Sequence, residues 1–256
     1  MGTRHLTIVK HEEEIKVAQY GQWDGNPEVT GIDILNFVYN LYYKESILAS
    51  FKEKLSLCEW ADKDSRQRQL EFMRQYTSDP ERESLEKQGL ISWEESTMLL
   101  KLFPESHRDT GSKILHLIHF GYFHKFGLVD GKREQIKYEV QPGKIYLDNA
   151  MSFASDRVFC EWAWVIDLDA DKLEVYIGQF NHDGSKGIFK DYDDPVRLLT
   201  TFDLNDLPTT DGFVEQCQTP DVTDEEALEF IEAMSQKRAN QSQNLKKRKK
   251  NQTTSQ

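Results

Sequence analysis

Apolar and polar positions change period twice along the chain, from two to about three and a half and back to two. His5–Lys10 and Ile15–Tyr20 are β-prone runs separated by the polar stretch His11–Glu14, which predicts a hairpin. Gly21 and the cluster Trp23-Asp24-Gly25-Asn26-Pro27 then halt regular structure. Beyond Gly31, residues Ile32, Leu35, Val38 and Leu41, with Ile34 and Phe37 alongside, form a stripe at spacings of three and four, the mark of an amphipathic helix. Ile47–Leu57 predicts a second helix, and the charged stretch Ala61–Gly89 an exposed one around Gln67–Tyr76. Ser92-Trp93-Glu94-Glu95 has the form of a capping box, opening a helix through Leu102 that must stop before Pro104. Ser112–Phe120 predicts another, ended by Gly121.

Strand patterning then returns at Gln135–Val140, Val158–Leu168 and Lys172–Gly178, the last two joined across Asp169-Ala170-Asp171. Val196–Phe202 adds a candidate edge. Within Val158–Leu168 both alternating sets are largely apolar, so this strand is expected in the middle of a sheet. Thr223-Asp224-Glu225-Glu226 is a second capping box, for a helix through Ala227, Phe230, Ile231 and Met234. Residues 236–256 lack apolar periodicity and read as a disordered tail. The expected fold class is α+β, in a single domain spanning 1–235. An N-terminal β-hairpin and C-terminal antiparallel strands form its sheet, and a helical insert at about 30–121 lies between them.

A chain of 256 residues with 38% hydrophobic side chains can bury a sizeable core. No run approaches the ~18 apolar residues of a membrane span, and Met1–Leu6 shows no apolar signal core. Leu6 does not fit a myristoylation signal at Gly2. Cys58, Cys160 and Cys217 are too scattered for a disulfide framework or a zinc site. The net charge of -12 divides unevenly. Residues 236–256 hold seven Lys/Arg and no Asp/Glu, leaving 25 basic and 44 acidic side chains, a charge of -19, on the body. An acidic body repels phosphate backbones, which makes nucleic acid an unlikely partner of the domain. The expected location is cytoplasmic, or nuclear should Lys246–Lys250 serve as an address; that run would otherwise contact acidic partners or import machinery.

The densest polar-aromatic cluster is Gln19-Tyr20-Gly21-Gln22-Trp23-Asp24-Gly25, placed where a strand ends and a helix is about to begin. Loops there project side chains from a fixed base, and two carboxamides, a phenol, an indole and a carboxylate suit a planar polar ligand. The bland alternative is a turn in which Asp24 caps an amide and Trp23 fills core. Glu161, between Cys160 and Trp162, would be a buried carboxylate in need of a partner, and Arg4 or His5 could supply it. That pair is either a structural ion pair or an acid/base near Gln22 and Asp24.

Gly2-Thr3-Arg4-His5-Leu6 and Val17–Gly25, together with Ser152–Asp156, Phe159–Ala163 and Val165–Leu168, resemble signatures of a family of uncharacterised fungal, bacterial and phage proteins. The resemblance covers about a fifth of the chain and brings no activity with it. It implies that the two stretches belong to one site or one fold-defining contact. The terminal hairpin also resembles that of N-terminal-nucleophile hydrolases. Gly2 offers no nucleophile, however, and only trimming to Thr3 would expose one.

Three further features look like chemistry and are better explained otherwise. Asp167-Leu168-Asp169-Ala170-Asp171 begins like a calcium loop, but Lys172 and Gly178 occupy positions that require Gly and Glu. His116 and His119, with His124 beyond, have apolar neighbours, as histidines of a core or helix end do. Cys160 in an apolar strand reads as a small buried hydrophobe. No metal and no cofactor are expected. Three functions follow. The first is binding of a small polar molecule or a protein partner through Gln19–Gly25, with Arg4, Gln19, Tyr20, Gln22, Trp23, Asp24 and Glu161 as the binding set. The second is a hydrolase using Asp24, Glu161 or His5. The third is a structural interaction protein.

Overall fold

The computed structural model describes residues 2–75, 93–129, 132–140, 143–178 and 187–218. Its N-terminal hairpin forms where the alternation places it, with β1 (His5–His11) antiparallel to β2 (Glu14–Gly21). The turn needs two left-handed residues, and Glu12 and Glu13 supply them at φ 55° and 59°. That conformation is unusual for glutamate. It is held by the Asp169 carboxylate, which accepts both turn amides at 2.8 Å.

A single wide helical turn over Pro27–Gly31 leads into α1 (Ile32–Tyr42), followed by α2 (Glu45–Leu55). A short strand β3 (Cys58–Trp60) interrupts the expected helical insert. Next comes α3 (Lys63–Arg74), capped by the Asp62 carboxylate on the Ser65 amide at 2.7 Å. After α4 (Trp93–Leu102) the chain turns at Pro104 and enters α5 (Ile114–Phe120), closed by Gly121. Ser92, Tyr76, the expected helix at Thr223–Met234 and the tail 236–256 lie outside the described residues.

Helix does not give way directly to the main sheet. Tyr122–Val129, which carried no expected strand, forms β4 and pairs with β5 (Lys132–Glu139) as a separate hairpin. A three-residue β6 (Ile145–Leu147) runs parallel to β3. The main sheet resumes with β7 (Trp162–Asp167), β8 (Lys172–Ile177) and β9 (Arg197–Asp203), and α6 (Thr210–Gln216) follows. Its five strands run in the order β2-β1-β7-β8-β9. The fold is α+β. The C-terminal strands are mutually antiparallel, as expected, and β7 lies parallel to β1, so the sheet is mixed.

Strand β7 is the middle strand, buried at all six positions, as its two apolar faces require. On one face Trp162, Trp164 and Ile166 meet α1, α2, α5 and α6; on the other Ala163 and Val165 meet Ala154, Cys160, Phe189 and Val196. The strand starts later than its sequence pattern suggests. Val158–Cys160 belong to a turn closed by the Asp156 carbonyl, which accepts from the Phe159 and Cys160 amides at 2.9 and 2.7 Å. Glu161 therefore precedes the strand, and its side chain is 37% exposed rather than buried.

The calcium-like stretch is a hairpin turn whose acids have other roles. Asp167 accepts the Asp169 and Ala170 amides, Asp169 clamps the first hairpin, and Asp171 accepts from the Tyr42 hydroxyl at 2.6 Å. Among the described residues no helix is long and apolar enough to cross a membrane.

Candidate functional site

Where β1 begins and β2 ends, the sheet, the Gly21–Thr30 loop and the Asp109–Lys113 turn enclose a cleft of about 260 Å³. His5 forms part of its lining. The alternation of β1 sends this ring to the helix-bearing face, in line with Thr7 and Val9. Gly21 is its partner across the hairpin. The imidazole is only 2% exposed because glycines surround it. A β-carbon on Gly21 would lie 2.1 Å from His5 Cε1, and one on Gly111 would lie 2.9 Å from Nε2. Gly25 backs the His5 Cβ, and Gly111 also carries a left-handed φ of 49°. The ring occupies space that three absent side chains leave open.

Neither His5 ring nitrogen makes a hydrogen bond of good geometry. Burial pushes the imidazole down to about 4, against weaker opposing pulls from the Thr3 carbonyl and the Asp33 charge. It is therefore neutral at physiological pH, with one donor and one acceptor nitrogen. An unpaired polar ring in the interior is costly and calls for a partner or a reason.

The loop beside it is pinned by its backbone. The Gly25 amide donates to the Thr3 carbonyl at 2.9 Å, and the buried Trp164 indole donates to the Gly25 carbonyl at 3.2 Å. The Thr30 amide donates to the Asp24 carbonyl, with Asp24 left-handed at φ 57°. So held, Gln22, Trp23 and Asp24 line the cleft. Trp23 is 51% exposed and does not fill core; its ring lies over Gly2, where a β-carbon would meet it at 2.1 Å.

The opposite wall comes from residues that carried no sequence signal. Asp33 on α1 pairs with Lys113 at 2.5 Å, accepts from the Ser112 hydroxyl at 3.2 Å, and lies 3.8 Å from His116 Nε2. The Asp109 carboxylate has one buried oxygen without a hydrogen bond, and Lys125 donates to the Asp109 backbone carbonyl at 3.3 Å. Arg108 Nε lies 3.9 Å from Asp109 Oδ1, so Asp24, Asp33 and Asp109 are matched by Lys113, Lys125 and Arg108. The lining offers carboxylate acceptors to a ligand with hydrogen-bond donors, with no excess of negative charge.

The other expected residues divide between support and neighbouring structure. Tyr20 donates to the Gln22 carboxamide at 2.7 Å and packs edge-on to Phe153, orienting Gln22 from behind. Gln19 is buried, and its amide donates to the His107 carbonyl at 3.1 Å, tying β2 to the 107–113 turn. His107 is fixed in turn: Nδ1 accepts the Asp109 amide at 3.0 Å, so a neutral ring carries its proton on Nε2, 2.9 Å from Ser96.

Arg4 and Glu161 do pair, but they do not line the cleft. Glu161 Oε1 accepts from the Arg4 amide at 3.1 Å and from its guanidinium at 3.4 Å, and the guanidinium also lies 4.6 Å from the Phe159 ring centre. The acid/base grouping of Asp24, Glu161 and His5 is therefore not assembled at one place. The N-terminal stretch and the stretch around β7 nevertheless meet, through β1 against β7, Arg4 with Glu161, and Trp164 on Gly25.

Cys160 is fully buried and its thiol is pushed up by desolvation, with the Asp156 and Glu161 charges adding to the effect. It is inert as a nucleophile. His116 and His119 pack against Phe37, and burial lowers both. Among the described residues no group of three or more His, Cys, Asp or Glu side chains is placed to hold a metal ion. Comparison with protein-family models, curated proteins and solved structures found no match to the chain.

Proposed function

We propose that the chain binds a small polar molecule bearing N–H donors in the cleft between the Gly21–Thr30 loop and the Asp109–Lys113 turn. One observation carries this: a neutral, buried His5 whose ring nitrogens make no hydrogen bond of good geometry, kept in the cleft lining by glycines at 21, 25 and 111. A fold that needed only packing there would be served by an apolar ring. Trp23 supplies an open indole face for stacking, and Asp24 and Asp33 in the same lining supply carboxylate acceptors. The small volume suits a metabolite rather than a polymer.

The test is a thermal-shift screen of a metabolite library, repeated on Trp23→Ala and His5→Asn. At least one amine- or amide-rich compound should raise the melting temperature of the wild type and lose that effect in both variants. A library with no hits, or hits equally effective on both variants, would overturn the proposal.

A further inference from the structure

Among the described residues, β4 and β5 pair with each other and with no further strand. Lys132, Arg133, Glu134 and Gln135 are exposed at successive positions, so both faces of this half of β5 meet solvent. Closer to the body the alternation returns, with Ile136, Tyr138 and Val140 half-buried and Lys137 and Glu139 exposed. Tyr138 stacks on Phe123, with ring centres 5.1 Å apart, and anchors the base of the hairpin.

The outer edge of such a strand is a row of backbone donors and acceptors that can template another strand. Nothing in β5 blunts it. The register with β4 runs from Tyr122–Glu139 to Val129–Lys132 without a bulge, and Lys132–Glu139 includes no proline. A two-stranded hairpin is marginal alone and gains from further strands. Its exposed face also carries Tyr122, His124 and Phe126 of β4, the cross-strand partners of Glu139, Lys137 and Gln135. Phe126 is 60% exposed, and the Arg133 guanidinium lies 5.0 Å from its ring centre.

The side chains along this edge are complementary to themselves. Two copies of β5 pair antiparallel about a two-fold axis normal to the sheet, which keeps the same face outward in both. With the axis at Ile136, Arg133 stands opposite Glu139 of the second copy, and Glu139 opposite the second copy's Arg133. Gln135 then meets Lys137, Glu134 meets Tyr138, and the two Ile136 side chains meet at the centre, so no like charges are opposed. Each neighbouring register fails this condition. An axis at Gln135 sets Arg133 against Lys137, one at Lys137 opposes two lysines, and one at Glu134 opposes two glutamates. Glu139 already pairs with Lys137 of its own strand at 2.6 Å, and the second copy's Arg133 adds a further cation to that carboxylate. Antiparallel pairing also sets the base of one hairpin beside the tip of the other, which places the two bodies at opposite ends of the joint.

We infer that the outer edge of β5 is a contact between two copies of this chain, which join their hairpins into one four-stranded antiparallel sheet centred on Ile136. Main-chain hydrogen bonds across the edge supply the attraction, and the two Arg133–Glu139 pairs fix the register. The contact is narrow, so the association belongs to the transient class that forms at micromolar concentrations. No β5 residue lines the His5 cleft, and the contact does not depend on a ligand there.

Analytical ultracentrifugation of the full chain across the micromolar range is the test. The wild type should pass from monomer to dimer mass as its concentration rises. Arg133→Glu opposes glutamates at both ends of the contact, and Glu139→Arg opposes arginines there. Each variant alone should therefore associate at least about tenfold more weakly than the wild type. An equimolar mixture of the two variants restores both opposite-charge pairs and should recover the dimer. Both residues are exposed, so each variant should fold like the wild type, and melting curves of dilute samples check this. A wild type that stays monomeric throughout would overturn the inference and leave the edge to a strand of another protein. Dimers unaffected by either substitution, or a mixture of variants that stays monomeric, would overturn it equally.

Discussion

Gly21 stands directly across the hairpin from His5, and a β-carbon on it would fall 2.1 Å from the imidazole Cε1. The histidine and the glycine therefore define one another: the ring is accommodated because its cross-strand partner has no side chain.

This pairing should appear as strong coupling in a double-mutant cycle. Gly21→Ala should destabilise the chain by about 1–3 kcal/mol, the usual cost of overpacking. In a His5→Ala background the same change should cost much less, because the space is then free. Urea denaturation of the four proteins measures the coupling. Equal costs in both backgrounds would mean that the ring is not where the structure places it.

His5 should also make stability depend on pH. Its folded value, about 4, lies below its ordinary 6.5, so the unfolded chain binds the proton more tightly. The contribution is fully present above pH 6.5 and lost as pH falls to about 4. Its span is roughly 3 kcal/mol from ~1.4 kcal/mol per pH unit. Subtracting the stability curve of His5→Asn from that of the wild type should reveal a rise with pH across this window. A flat difference would show the ring to be solvated.

Glu105 should act with the opposite sign in nearly the same window. Burial lifts its carboxyl from 4.5 to about 7, so the folded state holds the proton more tightly. Wild-type stability relative to Glu105→Gln is then highest below pH 4.5 and declines by roughly 3 kcal/mol as pH rises to 7. Chemical denaturation at pH 5 and pH 8 distinguishes the cases. The glutamine variant should gain on the wild type at the higher pH.

Glu161→Gln is the control that separates the cleft from its surroundings. The Arg4 pair is partly open to solvent, with Glu161 37% exposed, so its loss should cost no more than ~1 kcal/mol. Ligand-induced thermal shifts should survive it while disappearing in Trp23→Ala. If Glu161→Gln also abolishes them, the site extends across the sheet end to Arg4.

Much of the architecture was legible where burial follows one clear period. The hairpin of β1 and β2, the stripe of α1 and the central place of β7 all follow from alternation or from spacings of three and four. Sequence and structure part where an apolar run does not correspond to one element. Val158 and Cys160 continue the pattern of β7, yet the Asp156 carbonyl closes a turn around them, and Glu161 comes out half open. Strand β4 carries no clear alternation, because Tyr122 and Phe126 face solvent while Phe123 beside them is buried. Half the cleft was visible because Gln22, Trp23 and Asp24 are consecutive. Asp33, Asp109 and Lys125 reach it from three separate segments, and nothing in their local sequence marks that convergence.

The parallel seam between β1 and β7 has a consequence for biogenesis. Its paired residues, such as His5 with Trp162, are separated by more than 150 positions, so β1 leaves the ribosome long before its neighbour exists. During that interval one edge of the first hairpin presents unsatisfied backbone groups and the apolar side chains Leu6 and Ile8. The sheet can be completed only after β7 has emerged, which makes this a slow, late-closing topology. A nascent chain stalled before Trp162 would therefore be a natural client for chaperones, and release beyond Asp167 would mark the earliest point at which the hairpin is shielded on its open side.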